Sequence, residues 1–249
     1  MKNNEIKIAW CYPDMLNLHG DRGNIMALKK VGELLGLKVT IDKIETYDQK
    51  IDFENTDIML FNPGEVKVVE TIVNALKKQN KELTKYIEDD KAIIVIGTTG
   101  AVFAKETKRF EGQVIEGLGI LDMKCTEREL VYGDDIVYKL VDDEEMEING
   151  SQIQIIDTEL NADIALGNIQ YGHGNNNDKK EGAKYKNVIF TNALGPVLVK
   201  NPWFAEKIIR KAAEIKGIEI NKEIPESEYD IEYKSLECIK KYIEKKTSK

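Results

Sequence analysis

The chain has 249 residues, 42% hydrophobic and 32% charged, with a formal net charge of −8. That length buries a full core in one α/β domain of ordinary size, and the acidic balance argues against general nucleic-acid binding, which needs a basic surface to exchange for phosphate counterions. No apolar run approaches the roughly 20 residues that span a bilayer, and the first five residues carry no apolar signal region, so the expectation is a cytoplasmic protein with one domain over residues 1–249.

In chain order, Ile6–Tyr12 reads as a buried strand bounded by Pro13. A loop leads into a helix from about Asn24 to Leu35, with Ile25, Leu28, Val31 and Leu35 on one stripe. Gly36 sits where a helix C-cap glycine belongs. Val39–Ile41 and Ile58–Phe61 read as strands, the second ending at the breaker Asn62-Pro63-Gly64. Val66–Lys78 is amphipathic, and Glu82–Glu88 is a further helical stretch. Ala92–Ile96 is a short continuous apolar run, the pattern of a central parallel strand covered on both faces. Beyond it come strands at Ile136–Leu140, Ile153–Ile156 and Val188–Thr191, a helix over Trp203–Lys216, and a charged terminal helix from about Ser235 to Lys245. Alternating β and α units predict a mostly parallel sheet flanked by helices.

The three cysteines, Cys11, Cys125 and Cys238, are odd in number and widely spaced. They imply neither a disulfide frame nor a zinc site, and no metal or cofactor is expected. His19 and His173 are the only histidines, so any histidine-based mechanism has to use one of them.

Three motifs carry a family resemblance. The first is Tyr12-Pro13-Asp14-Met15-Leu16-Asn17-Leu18-His19-Gly20-Asp21-Arg22-Gly23-Asn24, and the second is Glu116-Gly117-Leu118-Gly119-Ile120-Leu121-Asp122. The third runs from Tyr171 through YGHGNNNDKKEGAKYKN and a strand to Leu194-Gly195-Pro196-Val197-Leu198-Val199-Lys200-Asn201-Pro202. In this order they resemble class I glutamine amidotransferases of the cobyric-acid-synthase type, above all the branch of the lipid II isoglutaminyl synthase glutaminase subunit. The resemblance implies a flavodoxin-like three-layer sandwich. Asp21, Arg22 and Asn24 in the first motif are candidate ligand-binding residues, as are Thr98 and Thr99, where the backbone amides and helix N-terminus of the strand-to-helix turn could hold an anion or carboxylate. Each has a structural reading too: Asp14, Asp21 and Arg22 as a loop salt-bridge network, Asp21 as a cap on the helix near Asn24, the two threonines as caps for free N–H groups.

The reaction of that family needs a cysteine thiolate on a strained strand-to-helix turn, a histidine, and backbone donors for the oxyanion. The turn after Ala92–Ile96 reads Gly97-Thr98-Thr99-Gly100, which puts Gly97, or with a one-residue shift Thr98, at the nucleophile position. Leu194 falls at the histidine, and Asn62-Pro63-Gly64 at the oxyanion loop, where Pro63 has no N–H to give. Losing a triad nucleophile costs on the order of 10⁶ in turnover, and one oxyanion donor a further ~10²–10³. The expectation is a catalytically silent subunit that partners a Mur-ligase-like, ATP-dependent amide ligase in cell-wall precursor modification. The alternatives are an active glutaminase or other hydrolase with a displaced nucleophile, Cys11 being one candidate, and a sensor that binds glutamine or a related small metabolite without cleaving it.

Overall fold

A computed structural model describes residues 4–248. The first half alternates as expected: β1 (Glu5–Cys11), α1 (Gly23–Leu34), β2 (Lys38–Ile44), β3 (Ile58–Phe61), α2 (Val69–Lys77), α3 (Asn80–Glu88), β4 (Ala92–Ile96) and α4 (Gly100–Phe103). The second half supplies β5 (Glu106–Lys108), β6 (Val114–Glu116), β7 (Met123–Leu140), β8 (Asp143–Leu160), β9 (Gly167–Tyr171), β10 (Lys180–Glu181), β11 (Ala183–Tyr185) and β12 (Val188–Thr191). It ends in α5 (Val197–Lys200), α6 (Pro202–Ile215) and α7 (Asp230–Thr247).

The main sheet runs β11-β12-β4-β3-β1-β2, parallel except for β11 at its edge. Its central strands β3 and β4 are buried on both faces. In β4, Ile94 and Ile96 join a core shared with α1 and α6, whereas Ile93 and Val95 join a core shared with α2, α3 and α4. In β1, Ile6, Ile8 and Trp10 face the first core, and Ala9 and Cys11 the second. Each fully buried aliphatic side chain contributes about 1.5–3 kcal/mol, which holds these uninterrupted apolar runs at the sheet centre. A polar replacement of Ile94 would break that arrangement.

Several boundaries differ from the sequence expectation. The stretch expected as one helix over 66–78 opens as a 3₁₀ turn, Val66–Val68, before α2 begins. A run of valines loses χ1 freedom in a helix and weakens its start. Pro202 stands at the first position of α6, where its missing N–H costs nothing. The terminal helix starts earlier than expected, at Asp230, after a 3₁₀ turn following Pro225.

The larger departure is a second, mostly antiparallel sheet built on the hairpin of β7 and β8, each 18 residues long. It runs β10-β9-β7-β5-β6, with β8 also paired to β7. Only its apolar parts, Ile136–Leu140 and Ile153–Ile156, read as strands, because the remainder is half solvated and carries charged residues on its outer face. The β7–β8 register breaks between Glu127 and Tyr132, where the chain bulges and leaves Leu130 and Val131 exposed. A two-bond bridge joins the second sheet to the main one: Ser151 N–H donates to Leu194 O at 3.0 Å and Leu194 N–H to Ser151 O at 2.8 Å. Among the described residues no helix is long and apolar enough to cross a membrane.

Candidate functional site

The turn after β4 lies at the carboxyl edge of the main sheet. Gly97 has φ +61, a left-handed conformation that glycine adopts freely and L side chains do not. A 3₁₀ turn over Gly97–Thr99 then leads into the four-residue α4. The positive φ falls on Gly97 and not on Thr98. A Cβ placed on Gly97 would stand 3.0 Å from Leu194 Cδ2 and 3.1 Å from Pro63 Cβ. Leu194 and Pro63 therefore close over the space into which a side chain at Gly97 would project. Leu194 is 2% exposed and is held there by its bridge to Ser151.

The hydroxyls at the turn are used internally. Gly64 N–H donates to Thr98 Oγ1 at 3.0 Å, and the Thr98 hydroxyl donates back to the Gly64 carbonyl. Thr99 Oγ1 donates to Ile96 O at 2.8 Å. Pro63 O accepts from Leu18 N–H at 3.2 Å, which ties the loop after β3 to the loop after β1.

Asp21, Asn24 and Asn62 form a buried knot beneath these loops. Asn24 Nδ2 donates to Asp21 Oδ1 and to Asn62 Oδ1, each at 3.1 Å, while Asn24 Oδ1 accepts from Leu198 N–H at 2.9 Å. One side chain thus joins the loop after β1, the loop after β3 and the segment that carries Leu194. Asp21 does not cap α1: no side chain bonds the helix's first N–H groups, and Asp21 Oδ2 has no partner. Burial pushes its carboxyl up to about 6, against the opposing pull of Asn24. Arg22 points outward and pairs with the exposed Asp14 at 2.9 Å.

The second motif hydrogen-bonds along the back of α4, with Leu118 N–H donating to Val102 O at 2.8 Å and Leu121 N–H to Phe103 O at 2.9 Å. In the third motif, Glu181 is wholly buried and accepts from Thr191 Oγ1 at 2.8 Å and from Asn192 N–H at 2.7 Å. Asn201 Oδ1 accepts from Asn149 N–H at 2.9 Å. Most of the hydrogen bonds made by the three motifs tie loops and strands around the turn together, while Tyr12 Oη and Asp21 Oδ2 are buried without a partner.

The cavity left beside Gly97 measures about 10 Å³, room for no more than one water. Gly97, Thr98, Cys125, Gln154, Phe190 and Asn192 line it, and Cys125 is the sole lining thiol. Burial pushes the Cys125 thiol up to about 12. Cys11, at the end of β1, is wholly buried and its thiol is pushed up further still by the same desolvation. Cys238 lies exposed on α7.

Sequence reasoning missed a polar cluster next to this cavity. Gln154 Nε2 donates to Asp157 Oδ1 at 3.0 Å, and Asp157 also binds Arg128 Nη1 at 2.6 Å. His173 Nε2 lies 3.0 Å from Asp157 Oδ1, with its ring packed on Tyr132 at 4.8 Å between centroids. These side chains brace the β7 bulge. His19 is exposed at φ +57 in the loop after β1.

Residues 7–202 match the model of the CobB/CobQ-like glutamine amidotransferase domain. The chain is 30% identical over 239 residues to the lipid II isoglutaminyl synthase (glutamine-hydrolyzing) subunit GatD of Staphylococcus aureus, covering 93% of this chain and 94% of that protein. It is likewise 30% identical over 217 residues to the GatD subunit of Streptococcus pneumoniae, covering 85% and 82%. Among solved structures it superposes on a glutamine amidotransferase with a TM-score of 0.53 at 16% identity, covering 85% of this chain and 99% of that one. The glutaminase domain of Trypanosoma brucei CTPS gives 0.50 at 6% identity, covering 86% and 95%. With its parallel sheet, its strand-to-helix turn and its three motifs in place, the chain belongs to the CobB/CobQ-like glutamine amidotransferase family.

Proposed function

We propose that this protein is a catalytically silent amidotransferase-like subunit that docks on a Mur-ligase-like, ATP-dependent amide ligase and supports or regulates it in cell-wall precursor modification. The observation that carries the reading is the closed turn: glycine at φ +61, with Leu194 and Pro63 packed over it. Gly97 takes the place of the nucleophile, Leu194 that of the base, and Pro63 that of one oxyanion donor. Leu194 and Pro63 both stand within about 3 Å of where a Cβ on Gly97 would lie, so the space a nucleophile's side chain would need is filled. A hydrolase with a displaced nucleophile would need a thiolate, and burial keeps both Cys11 and Cys125 protonated. A glutamine sensor using the old site would need far more than about 10 Å³.

The identity with GatD subunits supports the complex and the cell-wall role. Asp21, Asn24, Glu181 and Asn201 fit it, since their hydrogen bonds hold the surrounding loops in place. Co-expression with a Mur-ligase-like subunit, followed by size-exclusion chromatography and amidation assays fed with free ammonia, tests the proposal. A stable complex whose ligase activity depends on this chain supports it; a protein that elutes alone and leaves the ligase unchanged refutes it.

A further inference from the structure

A second cavity, of about 560 Å³, lies at the far end of the main sheet from Gly97. It opens between α6, the β11–β12 edge and the turn that joins β7 to β8. Ala92, the first residue of β4, reaches it, whereas Gly97 follows the last residue of that strand. Its volume falls within the range of small-molecule sites, about 300–1,000 Å³. Leu140, Met146, Leu166, Ile189, Phe204 and Ile208 give it an apolar floor.

The rim carries the specific feature. Lys184 and Lys207 both bind the carboxylate of Asp142, Lys207 at 3.4 Å, and Lys207 also holds Asp143 at 3.0 Å. Asp142 belongs to the two-residue turn between β7 and β8 and its side chain is 41% exposed, so it can leave without disturbing either strand. The other basic groups at the rim have carboxylates of their own, Arg210 with Glu206 at 2.8 Å and Glu223 at 2.9 Å, and Lys211 with Glu214 at 3.0 Å. A carboxylate from a loop tip therefore fills a two-lysine seat at the mouth of an apolar cavity.

We propose that this cleft binds an amphipathic monoanion, an aliphatic or aromatic acid whose apolar body lies on the floor and whose anion takes the seat that Asp142 fills. The apolar body would exclude water from the two ammonium groups and strengthen their hold on the anion. Asp142 then acts as an internal competitor, and the ligand's apparent affinity is reduced by the fraction of time the seat is occupied. This inference stands apart from the silent turn and does not depend on it.

The test uses the full chain with anilinonaphthalene sulfonate as fluorescent probe, dodecanoate as competitor and dodecanol as its uncharged control. The account predicts saturable emission at one site per chain, displaced by dodecanoate far better than by dodecanol. Asp142→Asn should tighten dodecanoate on the order of tenfold, the factor for a seat filled about nine-tenths of the time. Lys184→Gln with Lys207→Gln should weaken dodecanoate about tenfold or more and leave dodecanol unchanged. Ile208→Trp, which fills the floor, should abolish binding of both. Absent emission, equal displacement by acid and alcohol, or indifference to the lysine and Asp142 variants would overturn the proposal. The lysine and Asp142 changes lie at the surface, so the test survives even if Ile208→Trp fails to fold.

Discussion

The closed turn makes a quantitative prediction for Gly97→Ala. Alanine must adopt φ near +61, which costs an L residue roughly 1–2 kcal/mol. Its Cβ then meets Leu194 Cδ2 at 3.0 Å and Pro63 Cβ at 3.1 Å, and pushing back two packed neighbours adds about 1 kcal/mol. The expected loss is about 2–3 kcal/mol, a fall in Tm of roughly 5–10 °C for a chain of this size. Leu194→Ala alone should cost about 2–4 kcal/mol through the cavity it leaves. In the double variant the clash with Leu194 disappears while that with Pro63 stays, so the combined loss should fall short of the sum by roughly 0.5–1 kcal/mol. Urea unfolding of the four proteins, extrapolated linearly to water, reads all three numbers. A Gly97→Ala loss below about 1 kcal/mol, or additivity within about 0.4 kcal/mol, would refute the idea that Leu194 and Pro63 seal the turn.

Three further outcomes are expected. The Asp21 carboxyl titrates near 6 in the folded protein against 3.8 ordinarily. Because the folded state holds this proton more tightly, its stabilising effect is full below about pH 4 and is lost as pH rises through about 6. Subtracting the stability curve of Asp21→Asn from that of the parent should expose this falling slope, at most about 3 kcal/mol in height; a flat difference would contradict the burial argument. Thiol titration of the native protein with an aromatic disulfide should find one reactive cysteine, Cys238, with Cys11 and Cys125 appearing only in denaturant; native labelling of either buried thiol would reopen the displaced-nucleophile reading. Finally, Gly97→Cys combined with Leu194→His should restore at most about a hundredth of a full glutaminase activity while Pro63 remains, since a missing oxyanion donor alone costs ~10²–10³, and full activity would show that the loop after β3 supplies no donor.

The sequence carried the main sheet because its central strands are buried on both faces and read as unbroken apolar runs, Ala92–Ile96 most plainly. The second sheet stayed mostly hidden. β7 and β8 alternate buried and solvated positions and carry charges on the outer face, so only their apolar fragments stood out. The turn after β4 was legible in the sequence, and the motifs singled out Gly97, Leu194 and Pro63 one at a time. The approach of Leu194 and Pro63 to Gly97 was not, because it depends on how the loops after β3 and β12 converge on the end of β4. Cys125 and Gln154 could not be placed beside the turn from sequence at all: both lie on the second sheet, whose seat against the first is set by the Ser151–Leu194 bridge.

The measurement that bears most directly on the central claim is glutamine-dependent ammonia release by the purified protein, alone and mixed with a Mur-ligase-like partner. The account predicts no release above the buffer background in either case. Release that appears with the partner and vanishes in Cys11→Ala or Cys125→Ala would contradict it, and would show that hydrolysis had moved to a thiol that burial was expected to silence.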